Sequence, residues 1–72
     1  MDILKILDEY DTLFGRYSLE EIENYLLDHL NQSFALSLNN VSFTLLNEII
    51  GFYRDITKKD EALYYCDKLI EL

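Results

Sequence analysis

The side chains that could do chemistry in this sequence are one histidine, one cysteine and several carboxylates. His29 and Cys66 are each alone of their kind. A cysteine nucleophile needs a base, a group that orients the base, and donors for the developing oxyanion. His29 could act as the base, but no residue pattern supplies the other parts. His29 therefore reads as a half-buried or surface histidine on a helix, and Cys66 as a small apolar core residue. His29 has no second histidine, nearby cysteine or spaced carboxylate pair with which to hold a metal. Asp8-Glu9-Tyr10-Asp11 precedes Gly15, but the alternating carboxylates and closing bidentate glutamate of a calcium loop are out of register. No glycine-rich phosphate loop occurs. The expectation is a protein that is not an enzyme, with no catalytic residue, cofactor or metal.

The chain has 72 residues and a net charge of −8, from 14 acidic and six basic side chains. It is long enough for one domain, and a chain of this size buries only about 60% of the surface its unfolded form exposes. Half its residues are apolar, ten are aromatic and none is proline, which fits long helices better than a turn-rich sandwich. Residues 1–30 carry eight acids and two bases, a balance of −6, and residues 31–72 carry six and four, a balance of −2. That excess opposes nucleic acid and anionic membrane as partners. A single cysteine points to a cytoplasmic chain. Asp2, Lys5, Asp8 and Glu9 directly after Met1 do not make a signal peptide, and no apolar run is long enough to span a membrane.

Four helices are expected. Ile3, Leu4, Ile6, Leu7, Tyr10, Leu13 and Phe14 fall at helical spacing over residues 3–14, with Asp2 as N-cap and Gly15 as a left-handed stop. Ser18-Leu19-Glu20-Glu21 is a capping box. It opens a second helix with the stripe Ile22, Leu26, Leu30, Phe34 and Leu38. Nothing breaks that helix before Leu38; the alternative is a stop near Gln32 and a loop from Ser33 to Ser37. Asn39-Asn40 marks a turn. A third helix follows over 42–56, and Thr57-Lys58-Lys59-Asp60 resembles a second capping box before a fourth helix that runs to the end. Short connections make neighbours antiparallel. The expected core is Leu7, Tyr10, Phe14, Ile22, Leu26, Leu30, Phe34, Leu46, Ile49, Tyr53, Ala62 and Cys66.

Leu46, Ile49-Ile50, Tyr53, Ala62 and Cys66 have the spacing of a tetratricopeptide repeat, including the step from Tyr53 to Ala62 across the turn. Ile50 stands where that pattern has glycine, with Gly51 one place late, and Cys66 replaces an aromatic residue. The first half is a weaker copy: a shift of 39 aligns Leu7, Tyr10 and Phe14 with Leu46, Ile49 and Tyr53, and a shift of 40 aligns Ile22 and Leu26 with Ala62 and Cys66. The chain thus resembles the amino-terminal part of bacterial tetratricopeptide proteins. The resemblance implies an all-α fold of two antiparallel helical hairpins stacked as a short right-handed array. Residues 1–38 would form a degenerate capping hairpin and 42–72 the repeat hairpin, within one domain.

The resemblance also implies a function, the binding of a partner protein or peptide on the concave face made by the first helix of each hairpin. Carried over by position, that face presents Thr44, Asn47, Gly51, Arg54 and Asp55, with Lys5, Asp8 and Thr12 from the first helix. Asn47 can pair with a peptide backbone, and Arg54 can hold a carboxylate through two hydrogen bonds. The plainer reading makes all of these ordinary solvated positions. Such units bury their faces only against neighbours, so the last helix is expected to leave Leu63, Cys66, Leu69 and Ile70 as an association face. Further repeats would cover it, or a second copy, giving a homodimer. Two readings from other classes remain: a structural oligomerisation module, and an acidic decoy whose carboxylates imitate phosphates at a basic site.

Overall fold

The computed structural model describes residues 1–72 and is all-α. Its helices are α1 (Ile3–Leu13), α2 (Leu19–Ala35), α3 (Asn39–Asp55) and α4 (Lys59–Glu71). The first two begin as expected. The Asp2 carboxylate accepts from the Lys5 amide at 3.2 Å. The Ser18 hydroxyl accepts from the Glu21 amide, and the Glu21 carboxylate accepts from the Ser18 amide, both at 3.2 Å. Gly15 follows α1 at φ +81°, and an added Cβ there would meet nothing within 4 Å. Backbone angle, not lack of room, is what calls for glycine.

The middle of the chain differs from expectation. α2 stops at Ala35, neither near Gln32 nor at Leu38. Asn39-Asn40 is not a turn but the first turn of α3, which starts three residues before position 42. The turn is Leu36-Ser37-Leu38, with Ser37 at φ +55°. There the Leu38 amide donates to the Ser33 carbonyl at 2.9 Å and the Ser37 amide to the Phe34 carbonyl at 3.0 Å. This is the paired closure of a Schellman motif, which satisfies carbonyls that the helix end leaves open.

The same motif ends α3. The Lys58 amide donates to Tyr53 at 2.8 Å and the Thr57 amide to Arg54 at 3.1 Å, with Thr57 at φ +62°. Thr57 therefore closes α3 instead of capping α4; its hydroxyl donates to the Ile56 carbonyl at 2.7 Å. α4 begins after Lys58 with no side-chain cap. The three later helices start at Leu19, Asn39 and Lys59, 20 residues apart. The structural period is one helix plus a three-residue link, half of the 39- to 40-residue offset seen between the halves of the sequence.

One cluster of ten side chains forms the core: Ile6 and Tyr10 of α1, Ile22, Leu26 and Leu30 of α2, and Leu45, Leu46, Ile49, Phe52 and Tyr53 of α3. No residue of α4 is fully buried. Five expected core positions are corrected. Leu7 is half-buried and Ile6 lies inside in its place; Ala62 and Cys66 are half-buried. Phe14 and Phe34 are 47% and 42% exposed. The physical reason is position. α1 and α4 stand at the ends of the series, and Phe14 and Phe34 lie where a helix is ending. Phe14 still packs edgewise on Tyr10, with ring centres 5.1 Å apart, and lies tilted against Phe52 at 6.5 Å.

α2 and α3 run antiparallel. At one end of their crossing Ser33 and Ser42 lie fully buried with hydroxyls 2.6 Å apart. The Ser33 hydroxyl donates to the Leu30 carbonyl at 2.7 Å, so the shared proton must come from Ser42. At the other end the Tyr53 hydroxyl donates to the Glu23 carboxylate at 2.6 Å. Tyr53 also stacks on Tyr65 of α4, with ring centres 5.6 Å apart and planes inclined by 11°. The result is a slab of 31 × 27 × 15 Å in which each helix packs on its neighbour in the chain.

Candidate functional site

The residues expected on one concave face fall into separate groups. Asn47 and Arg54 are exposed on α3, seven positions apart and so on one stripe. The Asn47 amide donates to the Phe43 carbonyl at 3.2 Å, and the Thr44 hydroxyl to the Asn40 carbonyl at 3.0 Å. Both are thus tied to their own helix. Arg54 Nε lies 4.0 Å from the Asp55 carboxylate, with side chains 76% and 78% exposed, a solvated pair of little energetic weight. Asp55 acts instead towards α1. Burial, then the charges of Glu48, Asp11 and Asp55, push the Tyr10 hydroxyl up to about 12. Lys5, Asp8 and Thr12 are exposed on α1, and the Thr12 hydroxyl donates to its own helix at Glu9.

The four α4 residues expected to form an association face divide between two sides of the helix. Leu63 and Ile70 are 64% and 82% exposed, with Cys66 half-buried between them. Leu69 turns the other way and packs on the core beside Ala62 and Tyr65. Leu63 and Cys66 form one wall of a groove of about 360 Å³ between α3 and α4. Ala62 and Ile50 complete its apolar lining, and Arg54 and Lys59 edge it with positive charge. A smaller hollow of about 280 Å³ is lined by Leu19, Phe52 and Ile56 with Glu20, Glu23 and Lys58.

Ile50 and Lys59 were absent from the expected site residues. The signal for Ile50 was present: it sits 20 positions before Ile70, at the same register of the preceding helix. Arg54, expected on a concave face, lines this groove together with residues of α4.

No reactive constellation forms. His29 Nδ1 is 2.8 Å from the Tyr25 carbonyl, so it carries a proton and donates within its own helix. Its ring lies 4.4 Å from that of Tyr25. Tyr25 donates towards the Ile6 carbonyl at 3.2 Å and the Glu9 carboxylate at 3.0 Å. Burial and Glu9 together push its hydroxyl up to about 12. Tyr53 is raised further by burial and its bond to Glu23. These tyrosines are held protonated as ties between helices. No three His, Cys, Asp or Glu side chains converge as metal ligands, and no helix is long and apolar enough to cross a membrane. What the surface can do is exclude water from an apolar segment laid in the α3/α4 groove and pair its flanks with Arg54 and Lys59. Comparison with protein-family models, curated proteins and solved structures finds no match to this chain.

Proposed function

We propose that the chain is a tetratricopeptide-type interaction module of the bacterial cytoplasm that holds a segment of another protein along the α3/α4 groove. One observation carries the reading. α4 packs a single face on the core and leaves Leu63 and Ile70 open beside an apolar groove. Contiguous apolar surface next to fixed charge is the usual signature of a protein-binding site. The repetition of helix and link supports the tetratricopeptide reading, because arrays of this kind present extended surfaces. The function involves no catalytic step.

Capture of partners from the source cell tests it, using the wild-type chain beside Leu63→Asp, Arg54→Ala and Asn47→Ala. Loss of capture with Leu63→Asp and Arg54→Ala is expected. Undiminished capture by both would overturn the assignment, whereas loss with Asn47→Ala alone would move the site to the outer stripe of α3. A second reading, the acidic decoy, draws support from Asp11, Glu48 and Asp55 gathering near Tyr10. It requires binding that collapses as salt rises, whereas a segment held by the apolar lining of the groove should persist better.

A further inference from the structure

The 20-residue register of the helices relates the exposed side of α4 to the buried side of α2. Positions 20 residues apart occupy the same register in successive helices. Leu26, Leu46 and Cys66 form one such series, and Leu30, Ile50 and Ile70 another. Leu26 and Leu46 are 1% and 0% exposed, whereas Cys66 is half-buried. Leu30 is 2% exposed, Ile50 half-buried and Ile70 82% exposed. The side chains stay aliphatic or apolar along each series while burial declines towards the end of the slab. On α2 this face is covered by α3, whose Tyr53 reaches Glu23, and the position 40 residues beyond Glu23 is Leu63.

From this register we infer that Leu63, Cys66 and Ile70 dock one amphipathic helix of α3's kind, supplied by a partner protein and lying antiparallel to α4. The inference rests on the interaction-module reading and names the chemistry of the partner. The incoming helix continues the α2/α3 interface one step further. It presents aliphatic side chains at the spacing of Leu45, Leu46 and Ile49, and an aromatic pair near its end, as Phe52 and Tyr53 do in α3. Its flank is acidic. Arg54 and Lys59 edge the groove on a chain of net charge −8, and neither is held by a buried carboxylate. α3 carries acids of this kind at Glu48 and Asp55, seven residues apart and so on one flank.

The test uses the intact chain and a synthetic peptide of residues 39–58 as the probe. Cys66 is the only cysteine and lines the groove, so its alkylation by iodoacetamide reports occupancy. At a peptide concentration about ten times Kd the rate should fall about tenfold by mass action, with one peptide bound per chain. Changing Glu48 and Asp55 of the peptide to lysine should weaken binding about tenfold, because like charges then face Arg54 and Lys59. Leu63→Asp in the protein should abolish protection while circular dichroism stays unchanged, since that side chain is already exposed.

Unslowed alkylation, or equal binding of the lysine-substituted peptide, would overturn the inference. Faster alkylation would also overturn it, because the peptide would then be displacing the protein's own α3. A mass that doubles with concentration in light scattering, with Cys66 protected in the absence of peptide, would assign the face to a second copy instead. If the peptide fails while Arg54→Ala still loses cellular partners, the module reading stands and the helix-docking inference alone falls. If Arg54→Ala and Leu63→Asp also retain full capture, both fall.

Discussion

α3 and α4 start from the same three-residue link and hold apolar residues at matching registers, yet one is the centre of the molecule and the other is its margin. α3 buries Ser42, Leu45, Leu46, Ile49, Phe52 and Tyr53, and α4 buries nothing completely. Composition does not account for this. Leu63, Tyr64, Tyr65, Leu69 and Ile70 give α4 ample apolar surface. What differs is the number of neighbours: α3 has helices on both sides, α4 has one. Burial in such a series is a property of position along the stack before it is a property of the side chain.

The comparison can be broken most sharply at paired registers. Leu46→Ala should destabilise the fold by about 2–5 kcal/mol, the range for deleting a fully buried leucine. Cys66→Ala, at the equivalent place in α4, should cost under about 1 kcal/mol, because its site is open on one side. Urea unfolding of both variants measures the difference, and equal losses would show that α4 is as integral as α3. Alkali tests the tyrosine ties. Tyr10 and Tyr25 are raised to about 12 from an ordinary value near 10. A raised folded value means the neutral hydroxyl is favoured by folding. Its contribution is therefore complete below about pH 10 and is lost as pH rises towards 12. Circular dichroism followed with tyrosinate absorbance should show helix loss in that interval. Tyr25→Phe, which cannot ionise, should weaken the pH dependence there.

Smaller effects should come from the two links. Thr57 holds φ +62° with a β-branched side chain, and Ser37 holds +55° without one. The left-handed conformation costs an L-residue about 1–2 kcal/mol, part of which glycine recovers against its greater chain entropy. Thr57→Gly should therefore raise stability by about 0.5–1 kcal/mol, and Ser37→Gly by less. A destabilised Thr57→Gly would show that the threonine hydroxyl, bonded to Ile56, outweighs the strain. Ile70→Ala should be smallest, within about 0.5 kcal/mol, unless a partner is present.

The helices themselves were legible because their apolar residues recur at helical spacing and because Asp2, Gly15 and the Ser18–Glu21 pair are strong local punctuation. The links were not. Glycine and asparagine are the usual occupants of left-handed positions, so Asn39-Asn40 drew the turn away from Ser37, and a threonine preceding Asp60 at capping-box spacing disguised Thr57 as a cap. The core was legible where a helix has two neighbours, as at Leu46, Ile49 and Tyr53. It failed at Phe14 and Phe34, whose size suggested burial but whose places at helix ends denied it. Buried Ser33 and Ser42 could not be read as core from their type; only their mutual hydrogen bond makes them so. As for the candidate surface, the exposure of Leu63 and Ile70 beside half-buried Cys66 fits their spacing on α4, while the meeting of Arg54 and Lys59 at one groove required knowing how α3 lies on α4.

The identical closures at Ser37 and Thr57 bear on how such a chain could grow. Each link is built from backbone hydrogen bonds to the helix before it, so a duplicated stretch of helix plus link would bring its own corner along. The molecule can lengthen by whole helices without redesigning any junction, and each addition would turn what was an outer wall into an inner one.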